Sequence, residues 1–135
     1  MKLLHESKFW KFGYNAELDA MEYEWFSTSE DMSTEEYKEE MTKNAEEYKK
    51  HGPSKSLIDT RQFLFTITPE VQEWTDKEIF PVFVESGLKK LAFVVSQSLF
   101  AQVSVEQMLD EQTASQHFQS QYFDDRDKAL AWLKS

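Results

Sequence analysis

Lys90-Leu91-Ala92-Phe93-Val94-Val95-Ser96 is the stretch whose reading decides the fold. Its apolar core, Leu91 to Val95, has strand length and no polar alternation, the pattern of a strand covered by helices on both faces. Such a strand belongs in the middle of an α/β sheet. Downstream, Phe118 to Phe123 reads as the last strand, and Asp124 or Asp125 caps a final helix that returns Ala129, Leu130, Trp132 and Leu133 to the core. Between these two strands, Ser98 and Ser104 are N-cap residues, the second completed by Gln107. They predict a short turn and a longer helix over Leu99 to Ala114.

Upstream, Thr68, Pro69 and Glu70 are the N-cap, first residue and acidic first turn of another helix. Pro81 cannot donate a backbone hydrogen bond, which predicts a kink or break near Phe80 before Gly87 ends the element. Before it, Ser56 to Thr60 reads as a short interior strand and Phe63-Leu64-Phe65 as an apolar connection. Ser33 with Glu36 forms a capping box, and Met32 stands ready to pack on Tyr37, so a helix begins at Ser33 and ends at His51-Gly52-Pro53. Earliest of all, Trp10, Phe12 and Tyr14 share one face of a strand. After the turn-like Asn15-Ala16-Glu17, the segment Leu18 to Phe26 repeats the alternation with Met21, Tyr23 and Trp25.

The elements assemble into a single α/β domain over residues 1–135. The expected sheet is mixed, mostly parallel and five-stranded, edged by an N-terminal antiparallel hairpin and covered by about four helices. A chain of 135 residues buries roughly two-thirds of its unfolded surface, and 11 Phe, 5 Tyr and 4 Trp supply an aromatic interior.

Composition restricts function. No cysteine is present, which removes disulfides, thiolate metal sites and cysteine nucleophiles and fits a reducing, cytoplasmic setting. No apolar run reaches the length of a membrane span, and the N-terminus lacks the apolar core of a signal peptide. A net charge of −10 repels nucleic-acid phosphates and anionic lipid, so neither nucleic acid nor membrane insertion is expected. Only Gly13, Gly52 and Gly87 occur, each isolated, so no phosphate-cradling loop can be built. His5, His51 and His117 show no ligand spacing, and no cofactor is expected. Ser96 or Ser98 beside Asp124 or His117 would be needed for a hydrolase, yet the Gly-x-Ser-x-Gly elbow is missing, and strand-end and capping roles explain these residues.

The element order, together with Ser56 to Asp59, Ile79-Phe80-Pro81, Lys90 to Ser96, and Tyr122-Phe123-Asp124-Asp125 running into Ala129-Leu130-Ala131-Trp132-Leu133, resembles the STAS or SpoIIAA-like family across roughly residues 5 to 134. The resemblance implies a non-catalytic regulatory or protein-interaction domain. In anti-sigma-factor antagonists of that family, an Asp-Ser pair at the start of the helix after an interior strand is phosphorylated to switch partner binding. The matching position here is Thr66-Ile67-Thr68-Pro69, which lacks that pair and leaves Thr66 and Thr68 as the phosphoacceptors the resemblance implies. The expected partner is a protein or a second copy of the chain as a homodimer. The alternative is a carrier of an apolar small molecule or lipid. For either, Trp10, Trp25, Phe63, Phe65, Phe80, Phe83 and Phe100 are the expected contact residues.

Overall fold

Six strands form one mixed sheet in the order β1-β2-β3-β4-β5-β6 in a computed structural model that describes residues 1–96 and 118–135. They are β1 (Lys2–Glu6), β2 (Trp10–Asn15), β3 (Ala20–Trp25), β4 (Lys55–Asp59), β5 (Lys90–Val94) and β6 (Gln119–Phe123). Pairings β1/β2 and β2/β3 are antiparallel, and β3 through β6 are parallel. A short 3-10 turn (Ser27–Asp31) precedes helix α1 (Thr34–His51), followed by α2 (Pro69–Glu78), α3 (Phe80–Glu85) and, at the end of the chain, α4 (Arg126–Lys134). The helix expected over Leu99 to Ala114, with its caps at Ser98 and Ser104, lies outside the described residues.

The sixth strand corrects the expectation of five, and β1 rather than the hairpin forms that edge of the sheet. Its register shifts between Leu3 and His5, where Leu4 is one residue too many against Gly13 and Phe12. That bulge breaks the period-two alternation by which a strand is read from sequence. Below it, a Cβ on Gly13 would meet the Lys2 carbonyl oxygen at 2.4 Å. Gly13→Ala is therefore expected to push β1 off its neighbour at a cost of about 1–3 kcal/mol, measurable as a lower denaturation midpoint.

Local signals placed the helices. Glu36 N–H donates to Ser33 Oγ (3.1 Å) and Ser33 N–H to Glu36 Oε1 (2.9 Å), closing the capping box. Gly52 ends α1 at φ 53° and donates to the Tyr48 carbonyl. Thr68 accepts from Val71 N–H at the start of α2. The Pro81 region breaks the chain into α2 and α3 at Ile79. The hairpin turn is longer than expected, because Asp19 takes a left-handed φ of 52° and β3 begins only at Ala20. Tyr14 Oη donates to Asp19 Oδ1 (2.6 Å) and Ser54 N–H to Asp19 Oδ2 (3.1 Å), tying that turn to the start of β4.

One face of the sheet meets α1, α2 and α3 through Trp10, Phe12, Met21, Tyr23, Tyr37, Tyr48, Val71, Phe83 and Leu91. The other meets α4 through Leu57, Ala92, Val94, Phe123, Ala129 and Leu133. Strand β5 is thus covered on both sides as its apolar run predicts, although it lies between β4 and β6 rather than at the centre.

Three buried phenols, Tyr23 on β3 and Tyr37 and Tyr48 on α1, each find a polar partner. Tyr23 donates to Asn44 (2.5 Å), Tyr37 lies 2.8 Å from Thr75 Oγ1, and Tyr48 lies 2.6 Å from Ser56 Oγ. Burial raises the pKa of all three above the ordinary tyrosine value, outweighing any opposing hydrogen bond. Each phenol holds its proton more tightly in the folded chain than in the unfolded one. This share of stability is therefore fully present below about pH 10 and is lost as pH rises through the raised folded values. Tyrosinate absorbance should accordingly appear together with loss of circular dichroism, rather than before it, for these three rings.

Candidate functional site

The C-terminal ends of β3 and β4 point toward the segment from Thr60 to Thr68, which connects β4 to α2. The side chains along this connection alternate. Phe63 turns inward against Trp25 (ring centroids 4.7 Å), and Phe65 stacks on Tyr37 (4.9 Å, 10° between planes). Between and beyond them, Leu64 and Ile67 face outward, 49% and 42% exposed. The backbone is pinned from below by Ser29, which is fully buried. Its Oγ accepts from Leu64 N–H (2.9 Å) and donates to the Gln62 carbonyl (3.4 Å). Thr60 closes the start of the loop by donating both N–H and Oγ1 to the Val94 carbonyl. Two large apolar side chains are thereby held in solvent on a braced loop.

Thr66 and Thr68 both lie exposed on this loop. The Thr68 hydroxyl is occupied as the N-cap of α2. Of the rings expected to form a contact surface, Trp10 and Trp25 are instead core residues, 2% and 6% exposed and stacked on one another at 4.2 Å. Period-two alternation put them on a common face, but α1 and the Thr60–Thr68 loop cover that face. Phe83 is likewise buried, packed on Tyr48 at 4.4 Å. Phe63, Phe65 and Phe80 are half-buried, Phe80 resting against Phe83 and Phe118. Phe100 and His117 lie outside the described residues.

A second polar feature lies on the α4 side of the sheet. A cleft of about 210 Å³ is lined by Lys11, Glu22, Glu24, Asp59 and Arg126, among others. Glu22 and Asp59 are buried carboxylates, yet both are answered. Glu22 accepts from Asn15 and pairs with Arg126. Asp59 receives Arg61 through Nε (3.0 Å) and an NH2 nitrogen (2.6 Å). The hydrogen bonds to Asp59, reinforced by its charge, raise the Arg61 pKa further, against a small opposing effect of burial. These pairs anchor the strand ends and give both buried carboxylates a cationic partner. Of the histidines, His5 Nε2 lies 2.9 Å from Glu40 Oε2, and His51 stacks on Tyr14. Among the described residues, no three potential ligands converge on a metal position, and no helix is long and apolar enough to cross a membrane.

The model of the SpoIIAA-like family matches residues 24–134. The chain belongs to the SpoIIAA-like family. Domains of this family are typically regulatory or protein-interaction modules and generally non-catalytic. The match begins at Glu24, inside β3, so in this SpoIIAA-like chain β1 and β2 stand ahead of the shared region. No curated protein and no solved structure matches the chain.

Sequence reasoning noted Leu64 only as part of an apolar connection and did not single out Ile67 or Ser29 for this candidate site. The signal was present for Leu64: between two phenylalanines that turn inward, an extended backbone must turn the middle side chain out. For Ser29 there was none, because its partners lie more than thirty residues away.

Proposed function

We propose that this SpoIIAA-like chain is a non-catalytic interaction domain that binds a protein partner through the Thr60–Thr68 loop and the start of α2. The observation that carries the reading is the exposure of Leu64 and Ile67 on a loop clamped by Phe63, Phe65 and Ser29. Braced apolar residues lose little conformational freedom on binding, which is what makes a small patch an effective anchor. Thr66 and Thr68 lie exposed on the same loop. A phosphate on Thr68 would sit at the N-terminus of α2, where backbone N–H groups favour negative charge.

The test is capture of partners from the native cell with the immobilised full chain, followed by calorimetric titration of each purified candidate. The reading expects a saturable partner whose affinity changes when the loop is altered. A chain that recovers no such partner, or one indifferent to the loop, contradicts it. Phosphopeptide mapping of the chain from the same cells is expected to place any phosphate at Thr66 or Thr68.

Ser29→Ala gives a separate check, because Ser29 positions the loop without facing the partner. Loss of its two hydrogen bonds is expected to cost about 1–2 kcal/mol of stability. It should also weaken partner binding several-fold, while Ser29→Thr, which keeps the hydroxyl, preserves more of both.

A further inference from the structure

The rim of the Thr60–Thr68 loop is acidic. The 3-10 turn that supplies Ser29 to the Leu64 backbone carries Glu30 and Asp31, both exposed, immediately beside that contact. Across the loop, α2 begins with exposed Glu70 and continues with exposed Glu73. Among the described residues, three cations lie near this rim, and each has a contact of its own: Lys8, beside the 3-10 turn, lies 3.9 Å from Glu36. Arg61 is held in the fork of Asp59, and Lys38 lies over the Trp74 ring at 5.6 Å. Apolar anchors at Leu64 and Ile67 are thus flanked on both sides by carboxylates.

Resting on the interaction reading above, we propose that the partner presents an apolar segment flanked by lysine or arginine side chains. A second copy of this chain fits poorly, since it brings the same acidic rim and a net charge of −10. A surface of anionic lipid or nucleic acid is repelled for the same reason. Paired opposite charges around a small apolar centre chiefly set specificity and association rate, and they weaken as salt screens them.

The experiment selects random peptides displayed on phage against the full chain, then measures selected peptides by fluorescence anisotropy. Peptides with basic residues flanking aliphatic or aromatic ones are expected. Their affinity should fall about tenfold or more as ionic strength rises from about 0.05 M to about 0.5 M. It should fall about tenfold in the quadruple variant Glu30→Gln, Asp31→Asn, Glu70→Gln, Glu73→Gln. If that variant folds poorly by circular dichroism, the salt dependence of the wild-type chain decides alone.

Selected peptides without basic enrichment, or with salt-insensitive binding still lost on changing Leu64 and Ile67, overturn the charge proposal and leave the interaction reading intact. Binding that ignores Leu64 and Ile67, or no selected binder at all, overturns both. A concentration-dependent dimer abolished by Leu64→Asp assigns the surface to a second copy and also overturns the proposal.

Discussion

Replacing Trp10 by alanine is expected to remove about 3–5 kcal/mol of stability, the usual cost of deleting a large buried aromatic side chain. Trp10 stacks on Trp25 (4.2 Å) and Tyr23 (5.4 Å) and meets Phe12 edge-on (5.1 Å), so its loss leaves a cavity lined by rings that cannot easily collapse. It also donates Nε1–H to Glu40 Oε2 at 2.5 Å, linking β2 to α1, and loss of the indole leaves that oxygen beside His5 Nε2 at 2.9 Å. Domains of this size are typically stable by about 5–15 kcal/mol, so much of the margin disappears. The expected readout is a fall in Tm of about 10–20 °C. Trp10→Phe should lose less, because it keeps most of the stacking and forfeits the hydrogen bond. A Trp10→Ala chain as stable as wild type but defective in partner binding would return the aromatic hairpin to the role of a contact surface.

The opposite pattern is expected for Leu64→Asp combined with Ile67→Asp. Both side chains stand in solvent, so their removal costs the fold little, within about 1 kcal/mol for the pair. If they anchor a partner, each is worth about 2 kcal/mol or more of binding, and the double variant should bind at least about 100-fold more weakly. Calorimetry of the complex and thermal denaturation of the free chain, run on the same preparation, separate the two effects. Trp10→Ala moves the second measurement, and the loop variant moves the first.

The contrast between these residues shows what the sequence could convey. Ser33 with Glu36, Gly52, Thr68 with Pro69, and the interruption at Pro81 were legible because each acts within a few residues, and the hydrogen bonds they make are local ones. Leu91 to Val94 was legible because burial on both faces leaves a continuous apolar run. Trp10 and Trp25 were legible as neighbours on one face, but alternation is symmetric between a face that meets solvent and one that meets a helix. Only the return of α1 and the Phe63 loop over them decided the matter. Strand β1 was hidden by its own bulge. The pairing of Glu22 with Arg126 joins residues more than a hundred positions apart, for which no short pattern exists. The resemblance drew functional attention to Thr66 to Thr68, on the loop that the proposed reading also uses. The apolar pair beside those threonines became visible only once Phe63 and Phe65 were seen to turn inward.

Amide hydrogen exchange of the full chain, free and saturated with its captured partner, tests where that partner sits most directly. The account predicts slowed exchange concentrated from Gln62 to Gln72 and at Ser29 to Met32. Protection at the β1 edge or along the outer face of α1, with the Thr60–Thr68 loop exchanging as fast as in the free chain, would contradict it.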